Sequence, residues 1–137
     1  MKASVVLAGL LVALPLANTW AQEKIYIDVQ NTGSGNTISV DRPRVELRQG
    51  NPKVQFHVAA KHWFFDASAG GITFKNGNCD ASGCEFTAED TLTPDKKVLN
   101  FNNRFSTFDK EFHYSIYLVN KNTGEQIELD PVLINKR

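Results

Sequence analysis

Apolar and polar residues alternate with a period of two along most of the chain beyond position 21, and that pattern predicts strands. Residues 24–30 set Ile25, Ile27 and Val29 against Tyr26 and Asp28. Residues 37–40 carry Ile38 and Val40, and residues 44–48 carry Val45 and Leu47, with Arg42-Pro43 breaking the chain between them. In 53–60, Val54, Phe56 and Val58 turn one way and Gln55 and His57 the other. Ile72 and Phe74 suggest a strand entering a Gly- and Asn-rich segment, and Phe86 a short one leaving it. Residues 96–103 place Leu99 and Phe101 on one face. The clearest strand is 111–120, where Phe112, Tyr114, Ile116 and Leu118 alternate with His113, Ser115, Tyr117 and Val119. Both of its faces are largely apolar, which predicts a central position in its sheet.

Turn chemistry separates these runs. Asn31-Thr32-Gly33-Ser34-Gly35-Asn36, Gln49-Gly50-Asn51-Pro52 and Asn122-Thr123-Gly124 each read as connections. The last run, 126–135, is interrupted at Asp130-Pro131, and because proline lacks an N–H this strand is expected at a sheet edge or at a bulge. No segment has helical periodicity of useful length. Seven to nine short antiparallel strands with turns every ten or so residues predict an all-β, two-sheet sandwich of immunoglobulin-like or cupredoxin-like topology. A small closed barrel is the alternative. There are no internal repeats, and 22–137 reads as a single β-sandwich domain.

The first 21 residues have a different character. Lys2 precedes an uncharged apolar stretch, ASVVLAGLLVALPLA, and Thr19-Trp20-Ala21 then places small residues where a signal peptidase reads them. Residues 1–21 are therefore expected to be a signal peptide cleaved before Gln22. The stretch is short for a membrane span, so a retained anchor is the lesser alternative, and no membrane span is expected after cleavage. No cysteine follows the stretch to carry a lipid. The expected location is the periplasm or the medium. The whole chain has 15 basic and 15 acidic residues, interspersed, which leaves no electrostatic footprint for nucleic acid.

Export changes the reading of the two cysteines. Cys79 and Cys84 flank Asp80-Ala81-Ser82-Gly83, too widely spaced for a C-x-x-C redox motif and without a second pair of zinc ligands. In an oxidising compartment they are expected to form a disulfide that fixes a loop tip. That pairing also removes a blue-copper site, for which the only methionine, Met1, lies in the signal. His57, His62 and His113 leave a two- or three-histidine metal site as a minor alternative. Nucleophilic catalysis has no G-x-S-x-G elbow, and Ser34 sits in a glycine loop. Asp66, Asp80, Glu85, Glu89 and Asp90 lie near the cysteines in sequence, which keeps open a carboxylate pair in a groove. No cofactor, no metal and no catalytic residue is expected.

Trp63, Phe64 and Phe65 are consecutive, so on a strand they cannot all face one core. Exposure of Trp63 or Phe64 beside the cysteine loop would make a recognition anchor; the competing reading is a strand buried on both sides, or a corner where the chain crosses between sheets. Asn100, Asn102, Asn103 and Arg104 form a polar patch for the same surface, or cap strand ends.

The ending Asp130-Pro131-Val132-Leu133-Ile134-Asn135 and the piece Gly70-Gly71-Ile72-Thr73-Phe74 resemble segments of small, uncharacterised bacterial β-sandwich proteins of a DP-EP-like group. The resemblance implies a sandwich fold and no established activity, with Pro131 kinking an edge and Asp130 hydrogen-bonding nearby backbone. The expected function is an exported, non-enzymatic binding module. Its binding residues would be Trp63, Phe64, Phe65, Asn102 and Arg104 beside Cys79 and Cys84, and its partner a protein, peptide or glycan outside the cytoplasm. The alternatives are an accessory subunit of a cell-surface assembly that pairs through an edge strand, and a metal-binding protein or hydrolase.

Overall fold

The alternation becomes thirteen short strands in the computed structural model, which describes residues 22–48, 52–75, 79–80 and 83–137. The expected signal peptide, 1–21, lies outside the described residues. In chain order the strands are β1 (Glu23–Asn31), β2 (Asn36–Val40), β3 (Arg44–Arg48), β4 (Lys53–Val58), β5 (Trp63–Phe65) and β6 (Ile72–Phe74). There follow β7 (Cys79–Asp80), β8 (Gly83–Cys84), β9 (Phe86–Ala88), β10 (Val98–Asn103), β11 (Glu111–Asn120), β12 (Gln126–Leu129) and β13 (Val132–Lys136). The first sheet has the order β2-β1-β4-β10-β9. In the second, β11 is central as its sequence predicts: β5 and β6 pair along one side, β12 and β13 along the other, and β3 lies outside β13.

The fold is thus the expected all-β two-sheet sandwich, but its sheets are mixed. β1 pairs parallel with β4, and β3 pairs parallel with β13. The chain leaves the first sheet after β2, runs through β3 in the second, and returns as β4 beside β1. Such a crossover produces a parallel neighbour, which a hairpin cannot. Strand alternation reports which face is buried and carries no signal for partner direction, so the antiparallel expectation is corrected at these two places. The strand count exceeds seven to nine because the last run divides at Asp130-Pro131 into β12 and β13, the aromatic run forms β5, and the cysteine segment adds the two-residue strands β7 and β8.

Asp130-Pro131 meets expectation only in part: β12, before it, ends its sheet, but no bulge forms. β12 and β13 share one unbroken antiparallel register with β11: Ile116 lies opposite Leu129 and His113 opposite Val132. There is therefore no bulge, and β13 has neighbours on both sides. Proline takes part in the ladder as an acceptor only, its carbonyl accepting from Tyr114 N at 3.2 Å, and the pair goes without the reciprocal bond that an N–H would make. Val132 N then donates to Pro43 O at 3.1 Å, where the pairing with β3 begins. Asp130 accepts from the Ser115 hydroxyl at 2.6 Å and pairs with Lys75 at 3.0 Å, so its partners are side chains and not the backbone expected of it.

Between the sheets, Phe56 of β4 meets Tyr114 of β11 with ring centroids 5.1 Å apart, and also meets Phe101 edge-on at 5.7 Å. Phe74 stacks on Phe86 at 4.6 Å, joining β6 to β9 across the layers. Each buried ring contributes roughly 2–3 kcal/mol of transfer free energy. One core joins residues from both sheets, consistent with a single sandwich. Among the described residues no helix is long and apolar enough to cross a membrane.

Candidate functional site

The aromatic run is a corner, not an anchor. β4 belongs to the first sheet and β5 to the second, and His62, with φ +69°, turns the chain between them. Pairing of Trp63 opposite Asn120 and Phe65 opposite Leu118 then aims both rings inward, where Trp63 is 6% and Phe65 0% exposed. The expectation of Trp63 and Phe65 as surface binding residues is corrected by this geometry. Phe64 points the other way, as parity requires, but Lys97 and Lys121 approach its ring at 4.7 and 5.4 Å. Its face is occupied by these ammonium groups in cation–π contact.

The run is also remote from the cysteines. Trp63 pairs at the Asn120 end of β11, whereas Phe74, which ends the strand leading to the cysteine segment, pairs with Tyr114. Six residues of extended strand separate the two places by about 20 Å. The two halves of the expected site are therefore not brought together.

Asn102, Arg104 and Cys84 are brought together. With Gly83, Thr87, Glu85 and Asn103 they line a cleft of about 370 Å³ between β8 and the β9–β10 edge of the first sheet. Asn102 lies opposite Thr87 in that edge, and both side chains are exposed. Cys79 lies opposite Cys84 in the two-residue pair β7–β8. The expected bridge depends on the Cys79 side chain, which falls outside the described residues.

Beneath the rim is a charge that sequence reasoning treats only as one loop carboxylate among several. Glu85 is 1% exposed. Its carboxylate accepts from Ser106 N and Thr107 N at 2.9 Å each, from Asn135 Nδ2 at 2.8 Å and from the Ser106 hydroxyl, with Arg104 Nε at 3.5 Å. Burial pushes this carboxyl up, but the hydrogen bonds from Ser106, Thr107 and Asn135 outweigh burial and hold it below the usual carboxylate range. Asn103 and Asn135, both buried, exchange hydrogen bonds at 2.7 and 3.1 Å. Arg104 N donates to Glu85 O at 2.8 Å, which ties the end of β10 to the residue after Cys84. The one available sequence signal is adjacency: Glu85 follows Cys84, and Asn135 ends the D-P-V-L-I-N segment.

The other sequence candidates disperse. Asp66 caps a single 3-10 turn at Ala67–Ala69 and accepts from Gln126 Nε2 at 2.8 Å. Glu89 pairs with Lys53 at 2.8 Å, and Asp90 with Lys96 at 3.6 Å. Asp80 falls outside the described side chains. His57 packs against Tyr26 at 5.5 Å, whereas His113 lies 3.3 Å from Glu111. Among the described residues no group of three or more His, Cys, Asp or Glu is placed to hold a metal ion. A second depression, of about 290 Å³, lies beside Tyr117, Gln126 and Glu128. For edge pairing, β13 is flanked on both sides, which leaves β12 as the part of that strand with a free side in the second sheet.

No protein-family profile matches this sequence, and no curated protein matches it significantly.

Proposed function

We propose that the chain is an exported, non-enzymatic binding module whose recognition site is the cleft rimmed by Thr87, Asn102 and Arg104. The observation that carries this reading is the floor of the cleft. Glu85, Asn103 and Asn135, from three separate parts of the chain, are locked together by hydrogen bonds, so the polar rim is held by a rigid base. A site fixed before its ligand arrives loses little conformational freedom on binding, which is how a small rim attains useful affinity.

The same reading includes cleavage of 1–21 and a Cys79–Cys84 disulfide. Their antiparallel register supports the bridge, because directly opposed residues in such a pair have Cα atoms about 4.5–5.5 Å apart, within disulfide reach. The bridge would fix Cys84, which lines the cleft. Two measurements on secreted protein test this part: an intact mass that begins at Gln22, and no titratable thiol until reductant is added. A retained N-terminus or two free thiols would overturn it.

The site itself is tested by screening the secreted protein on peptide and glycan arrays, then repeating positive spots with Asn102→Ala and Arg104→Ala. Glu85 keeps its Ser106, Thr107 and Asn135 donors in both variants, so both are expected to fold. A tenfold or greater loss of binding with an unchanged melting curve supports the cleft. Binding that ignores both substitutions places recognition elsewhere. Trp63 gives an independent control: buried as it is, its emission should be blue-shifted and should stay in place on saturation with ligand.

A further inference from the structure

On the outer face of the first sheet, strand parity sets three cross-strand rows, polar for the most part, that lead to the cleft. Tyr26, His57 and Val98 are opposite one another on β1, β4 and β10; then come Lys24, Gln55 and Asn100; then Lys53, Asn102 and Thr87. Tyr26, 43% exposed, is the one exposed large hydrophobic side chain among the described residues. Its ring is steadied by His57, with centroids 5.5 Å apart and planes tilted by 50°. The middle row is an amide relay. Gln22 Nε2 and Gln55 Nε2 donate to Asn100 Oδ1 at 2.7 and 3.0 Å, and Asn100 Nδ2 donates to Asp90 at 2.8 Å. From Val98 to Asn102 the face extends about 13 Å along the strand.

We propose that this face binds a neutral oligosaccharide chain, stacked on Tyr26 and running along Gln55 and Asn100 to Asn102 at the mouth of the cleft. The proposal rests on the cleft reading above and supplies its ligand class. Three features favour that occupant. A solitary exposed aromatic ring offers a flat face to the C–H side of a sugar while its hydroxyl stays wet. Amide side chains both donate and accept, which suits vicinal hydroxyls, each of which also does both. Most charges bordering the face are neutralised in pairs, Lys53 with Glu89 at 2.8 Å, Lys96 with Asp90 at 3.6 Å and Arg42 with Glu23 at 3.0 Å, and among the described residues Lys24 of the middle row is left as a single ammonium. A strongly charged partner therefore meets one isolated charge in place of an extended complementary field. A second copy of the chain would need an apolar centre for its interface, and one tyrosine does not supply it.

The test is isothermal titration of the secreted protein with neutral hexose and N-acetylhexosamine oligosaccharides of two to six units, with a polyuronate and a mixed peptide library as contrasts. Affinity should rise with chain length over the first few units, fall more than tenfold in Tyr26→Ala, and fall several-fold in Gln55→Ala, with melting curves unchanged. A change of tyrosine fluorescence on adding the sugar in a Trp63→Phe background, lost when Tyr26→Ala is added, provides a second readout, since Tyr114 and Tyr117 also emit. Neutral sugar binding lost in Arg104→Ala but untouched in Tyr26→Ala would overturn the platform and leave the cleft standing. Preference for the polyuronate or for peptides would overturn the ligand class. Absence of binding to every neutral oligosaccharide would overturn the proposal outright.

Discussion

Asn135 Nδ2 donates to Glu85 Oε2 at 2.8 Å, joining the penultimate residue of the last strand to the one that follows Cys84. The same amide also donates to Asn103 Oδ1 at 3.1 Å, so one side chain ties three parts of the chain together. Asn135 is 0% exposed, and the groups it serves cannot turn to water if it is removed. Asn135→Ala is expected to cost about 2–4 kcal/mol, the range for stripping a hydrogen bond from a buried charge and orphaning a second amide. Urea denaturation measures it, and a loss below about 1 kcal/mol would show that the network is dispensable.

Glu85 also sets an acid limit. Its pKa is lower in the folded than in the unfolded chain, because hydrogen bonds to the carboxylate outweigh the opposing effect of burial. Between the two values the unfolded state binds more protons, so stability falls as pH falls. The contribution is complete above the ordinary carboxylate value of roughly 4.3 and is lost as the pH drops through the folded value below it. Stability measured from pH 6 to pH 2 should therefore decline more steeply in the natural chain than in Glu85→Gln. Parallel curves for the two proteins would remove Glu85 as the source.

Residues whose role is set by their neighbours along the strand are legible in the sequence. Period-two alternation sorts Ile25, Ile27, Val54, Phe56, Val58 and the even positions of 112–118 into the core, and it requires Phe64 to oppose Trp63 and Phe65. Partnerships across the fold are not legible. Nothing local distinguishes Glu85, a buried charge, from the exposed Glu89, since Glu85 depends on Asn135, fifty positions away. The same holds for Tyr26 and His57, which meet only because β1 and β4 are parallel, and alternation cannot reveal that. Composition singles out Asn102 and Arg104, which do line a cleft, but it singles out Trp63 equally, and Trp63 is buried.

Tyr114 carries the opposite kind of prediction, a substitution that stabilises. The side chain is 0% exposed at the centre of β11, and its hydroxyl is the one buried side-chain polar atom without a hydrogen-bond partner among the described residues. Burial pushes its ionisation far above the ordinary phenol range, so the group stays neutral at any working pH. Tyr114→Phe keeps the ring contacts with Phe56 and Phe74 and discards the unmet desolvation cost. The expected gain is about 1 kcal/mol, seen as a higher urea midpoint with an unchanged slope. A destabilised Tyr114→Phe would mean that the hydroxyl is satisfied in solution.

Gly71 tests whether the corner before β6 is fixed by backbone conformation alone or by packing as well. Its φ of +71° is one that side-chain-bearing residues adopt at a cost of roughly 1–2 kcal/mol. A Cβ there would also meet Leu92 Cδ2 at 3.0 Å, Phe65 Cβ at 3.2 Å and Leu99 Cδ1 at 3.3 Å. Phe65 is held on its short strand against Leu118 and cannot retreat. Gly124, with φ +78° and nothing within 4 Å of where a Cβ would stand, shares the backbone demand without the crowding. Gly124→Ala should therefore cost about 1 kcal/mol and Gly71→Ala about 2–3 kcal/mol more than that, the added part arising from an overpacked core. Equal losses in the two variants would show that the core yields around position 71 and that only the left-handed turn matters there.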